Sequence, residues 1–224
     1  NYSREDQDAF AIESYNRSLN AIDRGNFKDE IIPIKIHQKK GPPIVVDIDE
    51  EPGRGKIEKI SILRSAFEKN GTITAANASS INDGAAAVVV MSAEKAIDLN
   101  LNPLCKIVAQ VSLAQDPIYF TTAPGMAITK ILKKTGISIN DIDLFEINEA
   151  FSNVVLAAMR EHNICHKKVN IFGGAVSLGH PIGASGARIL VTLISALKQK
   201  NKKIGLATLC IGGGEAAAVI VEMI

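Results

Sequence analysis

GGAVSLGHPIGASGAR forms residues 173–188, and thirty residues after His180 the chain reads CIGGG at residues 210–214. Glycine frees φ for sharp turns and lets backbone N–H groups approach a ligand closely. His180 and Cys210 each lie within such a loop, where a titratable side chain is well placed for chemistry. Ordinary turns between strands and helices, with His180 on the surface, are the alternative interpretation, because short motifs also occur by chance.

The chain around these loops alternates between strand and helix patterns. Apolar runs from Leu104 onward predict strands at 105–111, 143–147, 169–172, 203–209 and 216–223, and helices at 124–135, 149–161 and 185–200. This alternation is typical of a layered α/β domain.

The first 80 or so residues look like a separate part of the fold with its own helix and strands. A helix is predicted at 3–24, because Ser3 can cap it and Asp6 completes a variant of the capping box. The other expected elements are strands at 31–37 and 44–48, a short helix at 61–69 and, just beyond this region, a buried strand over the apolar run 85–91.

Charge and composition exclude several classes of protein. The chain has 224 residues, of which 46% are hydrophobic, and a net charge of +1. It therefore lacks the basic excess of a nucleic-acid-binding protein, and no apolar run reaches the ~18 residues of a membrane span. The N-terminus resembles neither a signal nor a transit peptide. We expect binding to neither nucleic acid nor membrane.

The three cysteines are too scattered for a disulfide framework, which favours a reducing compartment. Cys210 ends an apolar strand beside three glycines, so we expect its thiol near free N–H groups, whose dipoles stabilise a thiolate. A buried structural cysteine is the alternative, and Cys105 fits that description. His162, Cys165 and His166 could suggest a metal cluster, but no partner pair occurs elsewhere and we expect no metal there.

Polar residues at predicted strand ends are further candidates. Asn148 follows the strand at 143–147 and stands at the predicted N-cap of the next helix, where it either caps that helix or positions a water or oxygen. Arg188 could reach a phosphate or a neighbouring carboxylate. Ser79 lies in a turn-rich stretch that turn chemistry alone would explain.

Taken together, four segments resemble the thiolase family, and within it the acetoacetyl-CoA thiolases (acetyl-CoA acetyltransferases). They are Asn77-Ala-Ser-Ser-Ile-Asn-Asp-Gly84, Asn148-Glu-Ala-Phe151, the glycine loop of residues 173–188 and Cys210-Ile-Gly-Gly-Gly214. Their spacing also matches, with 69 residues from Ser79 to Asn148, 32 more to His180 and 30 more to Cys210. Four motifs in register are more specific than any single one.

The resemblance implies the layered α-β-α-β-α thiolase fold, here in an incomplete form. The family nucleophile is a cysteine in a Cys-Ala-Ser-Gly-like segment, and residues 1–224 contain no such segment. We therefore expect the C-terminal half to three-fifths of a thiolase, with the nucleophile in a missing N-terminal part. The expected divisions are a loop-domain portion at 1–82, the last segment of the N-terminal core half at 83–103 and the C-terminal core half at 104–224. Ala216, where many members have glycine, is a smaller departure.

The resemblance also implies a role for each matched catalytic residue. His180 would take the proton of the nucleophilic cysteine and help to hold the thioester oxygen, and Asn148 would hold the water of that first oxyanion hole. Cys210 would be the acid/base at C2 of acetyl-CoA, and the N–H of Gly212 would serve the second oxyanion hole. These roles suit a weak carbon acid, which needs a nearby base and fixed donors for the enolate.

Coenzyme A, as substrate and product, and a potassium ion are the ligands that the resemblance implies, with no covalently bound cofactor. Ser79 would contact pantetheine, and the other residues expected to bind substrate or coenzyme A are Ala75, Lys59, Phe120 and Phe151. Tyr119-Phe120-Thr121 resembles the acyl-pocket loop of mitochondrial members, which accept 2-methyl-branched substrates and use potassium. The ion ligands would map to Tyr15 and to backbone near Ala75, Ala76, Ala78 and Val176, although packing in a helix also explains Tyr15.

The expected activity is an acyltransfer, the reversible condensation of two acetyl-CoA to acetoacetyl-CoA and coenzyme A. Its partners would be acyl-CoA substrates, an N-terminal thiolase half and further copies in a homodimer or homotetramer, in the mitochondrial matrix or the cytoplasm. One alternative is a non-catalytic coenzyme A-binding or structural half that acts as a partner subunit. A weaker one is a phosphate-binding α/β module, which lacks the usual Lys-Ser/Thr clamp.

Overall fold

The computed structural model describes residues 2–224 and begins with a long helix, α1, at Arg4–Asp23. The Ser3 hydroxyl accepts a hydrogen bond from the N–H of Asp6, whose carboxylate accepts one from the N–H of Ser3, both at 3.0 Å. Gly25 follows with φ of +69°, a left-handed value at which glycine is unstrained. The helix predicted at 3–24, with its capping box, is confirmed.

The segment after α1 is largely exposed. Strands β1 (Ile34–Ile36) and β2 (Ile44–Val46) pair as an antiparallel ribbon whose six residues are all exposed. The short helix α2 (Glu51–Arg54) and a 3₁₀ helix (Ile57–Ile62) follow. The helix predicted at 61–69 is wrong, because regular structure ends at Ile62 and Asn70 takes a positive φ of 64°.

The apolar run 85–91 forms no strand, so that prediction is wrong as well. Val89 is 84% exposed and the run has no regular structure as far as the short helix α3 (Ala93–Asp98). A buried strand needs a neighbour for its hydrogen bonds, and none of residues 2–224 pairs with this run. Its composition suits burial, but composition alone does not supply the partner.

A four-stranded mixed sheet forms the centre of the remaining chain. Its members are β3 (Cys105–Ala114), β4 (Leu144–Ile147), β5 (Ile204–Ile211) and β6 (Glu215–Met223). The order is β3-β6-β5-β4, in which β6 runs antiparallel to both neighbours and β4 runs parallel to β5. The strand predicted at 169–172 is reduced to isolated bridges, among them one from Val169 to Phe145.

Helices cover both faces of this sheet. Their bounds are Ala123–Thr135 for α4, Ser152–His162 for α5, Ala175–Leu178 for α6 and Ser185–Gln199 for α7. Further 3₁₀ helices lie at Pro117–Thr122, Ile139–Asp141 and His166–Lys168. Alternate residues of β4, β5 and β6 point to opposite faces of the sheet. On one face Phe145, Leu206 and Ile220 pack with residues of α4 and α5. On the other face Leu144, Ala207 and Val221 pack with residues of α7. The predicted layered α/β architecture is confirmed.

Candidate functional site

The glycine loop brings His180 against the segment around Ser80. Gly179 has φ of +84°, and a Cβ at this position would collide with the side-chain amide of Asn82. The backbone N–H of His180 donates to Ser80 O at 2.9 Å and to Asn82 Oδ1 at 3.3 Å. Glycine at 179 is therefore required both for the turn and for this close approach.

The His180 imidazole lies between two polar side chains. Its Nε2 is 3.4 Å from Asn148 Nδ2, and its Nδ1 is 2.5 Å from Ser185 Oγ. Burial, followed by the positive charge of Arg188, lowers the pKa of His180 below its usual value. The ring is therefore neutral at physiological pH, which is the state needed to accept a proton.

Asn148 follows β4 but does not cap the next helix, which corrects the predicted N-cap position. Its N–H donates to Thr208 O at 3.0 Å and so continues the pairing of β4 with β5, and the N-cap of α5 is Phe151. Phe151 itself is extended, with φ of −143° and ψ of 154°, and forms a bridge with Ala78. Asn148 is 1% exposed, and its Oδ1 has no hydrogen-bond partner among residues 2–224, so it can accept a hydrogen bond from a water or ligand.

Cys210 and Asn148 lie at the same carboxyl edge of the sheet, because β4 and β5 are parallel neighbours. Ile147 of β4 pairs with Thr208 of β5, and Cys210 comes two residues further along β5. The thiol is buried, and burial raises its pKa to about 11. The expectation of a stabilised thiolate is therefore wrong, since desolvation outweighs the nearby backbone dipole and keeps the resting group a neutral proton donor.

Gly212 lies in the exposed connection between β5 and β6. No atom lies within 4 Å of the place where its Cβ would be, so a ligand could approach this backbone closely. Gly214 completes the turn with φ of +85° and donates its N–H to Ile211 O at 3.1 Å.

Three of the five residues expected to bind substrate or coenzyme A lie close together. Ser79 donates from both its N–H and its hydroxyl to Ala150 O, at 3.1 and 3.0 Å, which places it next to Phe151. The Phe151 ring makes edge-on contacts with Phe120 at 6.2 Å and with Phe67 at 6.5 Å between centroids. Phe67, 73% exposed, was missed from the sequence because it lies outside every motif.

The other two residues of that set, Ala75 and Lys59, are exposed. Lys59 lies in the 3₁₀ helix Ile57–Ile62, and within the described part of the chain no side-chain hydrogen bond or ion pair links it to the three aromatic rings or to Ser79. The structure therefore brings Ser79, Phe120 and Phe151 together.

Tyr15, Ala76 and Val176 share one small buried cluster. Ala75 and Ala78 are close to Ala76 in the sequence. The five residues predicted to bind a potassium ion therefore lie in one region of the structure. Their donors are a phenol oxygen and backbone carbonyls, which suit a hard cation. Elsewhere in residues 2–224 no group of three His, Cys, Asp or Glu side chains is arranged to hold a metal ion.

Arg188 contacts a carboxylate, which is one of the two partners predicted for it. Its Nη1 lies 3.6 Å from Oε2 of Glu146, a buried residue of β4. Burial raises the pKa of Glu146 to about 8 and that of nearby Glu30 to about 7, while Arg188 acts in the opposite direction on both. The cluster was missed because neither glutamate lies in a pattern that marks burial.

Two domain families, each matching one part of the chain, together cover nearly all of it. The family described as thiolase, N-terminal domain, matches residues 1–94, and thiolase, C-terminal domain, matches residues 101–223. The first match gives no support to the prediction of a missing N-terminal part, while the predicted domain boundaries and residue roles stay predictions. Within residues 2–224 no helix is long and apolar enough to cross a membrane.

Individual relatives are similar in sequence and structure. Mitochondrial acetyl-CoA acetyltransferase of Rattus norvegicus is 54% identical over 98% of this chain and 52% of that protein, and acetyl-CoA acetyltransferase of Yarrowia lipolytica is 50% identical over 99% and 55%. The Bacillus anthracis acetyl-CoA acetyltransferase structure matches with a TM-score of 0.95 at 43% identity, covering 99% of this chain and 56% of that one. Ascaris suum Acat5 thiolase in complex with coenzyme A matches with 0.89 at 40% identity, covering 100% and 56%.

These neighbours confirm the predicted thiolase-like fold. The chain spans about half the length of the curated relatives it matches.

Proposed function

The chain belongs to the thiolase family, and on that premise we propose that it serves in an acetyl-CoA C-acetyltransferase. The reaction is the reversible Claisen condensation of two acetyl-CoA to acetoacetyl-CoA and coenzyme A. One observation carries the proposal: His180 contacts Asn148 just after β4, and Cys210 is the next-to-last residue of the neighbouring parallel strand β5. A base and an amide are therefore in contact, and a thiol lies at the same edge of the sheet, where open α/β sheets bind ligands.

In the first half-reaction a cysteine thiol attacks the thioester carbonyl, and coenzyme A leaves. Neutral His180 accepts the thiol proton on Nε2 and then lies near the oxygen that becomes negative. The Oδ1 of Asn148 holds a water that donates to that oxygen. We assign the nucleophile to a residue outside 1–224, since Cys165 is exposed just before the 3₁₀ helix His166–Lys168 and Cys105 pairs with Met223 at the far end of β3.

In the second half-reaction Cys210 exchanges a proton with C2 of acetyl-CoA. The departing coenzyme A takes its proton from the Cys210 thiol, and the thiolate so formed removes the C2 proton. The enolate carbon then attacks the acetyl-cysteine carbonyl, and the cysteine leaves and regains its proton from His180. The reverse reaction, thiolysis, uses the Cys210 thiol to protonate C2. The raised pKa suits this role, because a thiolate formed in such a site is a stronger base than an ordinary one. The N–H of Gly212 donates to the enolate oxygen.

Coenzyme A is proposed to reach this site past Ser79 and the Phe151 ring. The three contacting phenylalanine rings offer an apolar wall for pantetheine and the acyl group. Ala75 and Lys59 are assigned to the outer part of the same substrate, where Lys59 supplies a charge for its phosphates. The Ascaris suum Acat5 thiolase, a structural neighbour solved in complex with coenzyme A, supports this choice of ligand.

The compartment, assembly and ion complete the proposal. We place the protein in the mitochondrial matrix, because two relatives are named as mitochondrial. Other relatives carry no compartment in their names, so the cytoplasm is the second choice. We assign a homodimer or homotetramer and a potassium ion near Tyr15, Ala76 and Val176, supported by the oxygen donors there.

The test uses the complete protein with acetyl-CoA alone. Formation of acetoacetyl-CoA is followed by absorbance, and the acyl-enzyme by intact-protein mass spectrometry. We expect both product and an acetylated cysteine outside residues 1–224. Coenzyme A binding with neither product nor acyl-enzyme would instead favour a non-catalytic partner subunit.

A further inference from the structure

Ser185 is a fully buried residue of the glycine loop that the proposed mechanism does not use. Its Oγ lies 2.5 Å from His180 Nδ1 and 3.1 Å from the carbonyl oxygen of Pro181. Ser185 is 0% exposed, so water cannot readily replace either partner. The question is which atom of the Ser185–His180 pair carries the proton between them.

The number of available protons decides this. A carbonyl oxygen only accepts hydrogen bonds, and a serine hydroxyl has a single proton to donate. The Ser185 proton therefore goes to Pro181 O, and its oxygen must accept from His180. Neutral imidazole carries one N–H, so that proton lies on Nδ1 and Nε2 is left with its lone pair.

This arrangement is built by a turn of six residues. Pro181 O also accepts the backbone N–H groups of Ala184 and Ser185, at 2.8 and 2.9 Å, in the turn that starts α7. The His180 backbone is fixed separately by its bond to Ser80 O. Ring and backbone are thus held from two sides, and the imidazole cannot turn over without breaking a buried hydrogen bond.

The same contact is compatible with both protonation states of the ring. When Nε2 accepts a proton, Nδ1 keeps its own and continues to donate to Ser185. No hydroxyl has to rotate during the proton transfer, which is the property of a preorganised site.

We propose that Ser185 is a positioning residue that holds neutral His180 in the tautomer protonated on Nδ1, so that Nε2 faces the reacting atoms as the base. The tautomer claim stands on the hydrogen bonds alone, and only its consequence for catalysis rests on the proposed function.

A measurement on the complete protein tests the tautomer without using activity. Protonated and unprotonated imidazole nitrogens differ widely in nitrogen-15 chemical shift, and the His180 signals are identified by their loss in His180→Gln. We expect a protonated Nδ1 and an unprotonated Nε2 in the wild type and in Ser185→Thr, which keeps the hydroxyl. In Ser185→Ala the population protonated on Nε2 should rise. Nε2 protonation in the wild type, or an unchanged spectrum in Ser185→Ala, would overturn the proposal.

Kinetics with acetyl-CoA supply the second readout. Ser185→Ala should lower kcat by about 10- to 100-fold, part of the 10²–10⁴ of a general base, with KM nearly unchanged because Ser185 does not line the proposed coenzyme A contacts. Ser185→Thr should recover most of the loss. Ser195→Ala, which removes another hydroxyl of α7, should match the wild type. Equal rates in Ser185→Ala and the wild type would refute the catalytic consequence, whereas a shifted tautomer in a protein without condensing activity would refute only the proposed function.

Discussion

At the scale of single residues, Gly179 and Gly183 differ in backbone conformation and in the space available for a side chain. Gly179 has a positive φ and no room for a Cβ, whereas a Cβ at Gly183 would meet nothing within 4 Å. We expect Gly179→Ala to lower the free energy of unfolding by about 1–3 kcal/mol and to reduce activity by displacing His180. Gly183→Ala is the matched control and should change stability little. Urea denaturation compares the two, and equal stabilities would show that the turn tolerates a side chain.

Cys210 and His180 should affect different half-reactions. Cys210→Ala removes the group that exchanges the C2 proton, so condensation should fall by at least about 10² while acetylation of the nucleophile is partly retained. His180→Ala should impair both steps. The acyl-enzyme is measured by mass spectrometry and thiolysis by absorbance.

Cys105→Ala is the matched control for Cys210→Ala, since Cys105 pairs with Met223 away from the site. An equal loss of both half-reactions in Cys210→Ala would contradict the role assigned to that thiol.

At this scale the sequence predicted the positions of the candidate residues better than their electrostatic state. His180 and Asn148 are in contact as their strand-end and loop positions suggested. The protonation of Cys210 was predicted in the wrong direction, because burial depends on neighbours that a local motif does not contain. Phe67 could not be found for the same reason, since only the folded chain brings it to Phe151.

At the scale of elements, β4 carries a buried acid whose titration should be visible in stability. The pKa of Glu146 is raised by burial from the ordinary value of 4.5 to about 8. Between these values the folded chain holds a proton that the unfolded chain has released, so the free energy of unfolding falls as pH rises. Glu146→Gln removes this titration, and its stability relative to the wild type should increase from about pH 5 to about pH 8. Urea denaturation across that range is the measurement.

Glu222 of β6 provides the contrasting variant. Hydrogen bonds from Lys106 and Lys203 lower the pKa of the Glu222 carboxyl below its ordinary value of 4.5. The stability that these bonds give the folded protein is therefore lost only when the pH falls below that value. Glu222→Gln should therefore differ from the wild type by a constant amount between about pH 5 and about pH 8. A Glu146→Gln difference that stayed equally constant would argue against a buried, protonated Glu146.

The ends of α1 were predicted more accurately than the structure of the apolar run 85–91. The capping box of α1 depends on residues three apart, so the sequence shows it directly. Residues 85–91 were misassigned because strand formation needs a hydrogen-bonding partner, which a local stretch of sequence does not reveal. The start of α5 shifted from Glu149 to Ser152 for a related reason, as pairing with Ala78 keeps Phe151 extended.

At the scale of the whole molecule, the cluster of Tyr15, Ala76 and Val176 joins α1 to the segment after the exposed ribbon and to the glycine loop. A potassium ion there should stabilise the complete protein, since a ligand that binds only the folded state raises its stability. We expect a higher melting temperature and faster thiolysis in potassium than in sodium, with turnover of 2-methylacetoacetyl-CoA as well as acetoacetyl-CoA. Tyr15→Phe removes the phenol oxygen and should reduce the potassium effect.

Equal behaviour in both cations would count against this ion. Failure to use the branched substrate would separately count against the acyl-pocket role proposed for Tyr119-Phe120-Thr121.

The position of β6 has a consequence for biosynthesis. It is the last of the four strands of this sheet in the sequence, yet it lies inside the sheet, where it pairs with both β3 and β5. The ribosome must therefore release Glu215–Met223 before β3, begun more than a hundred residues earlier, can find its neighbour. Until then the nascent chain exposes unpaired strand edges that invite aggregation and chaperone binding. A premature stop codon just after Cys210 would retain the side chains of Asn148, His180 and Cys210. Because β6 would be missing, the sheet that positions these side chains would still not form.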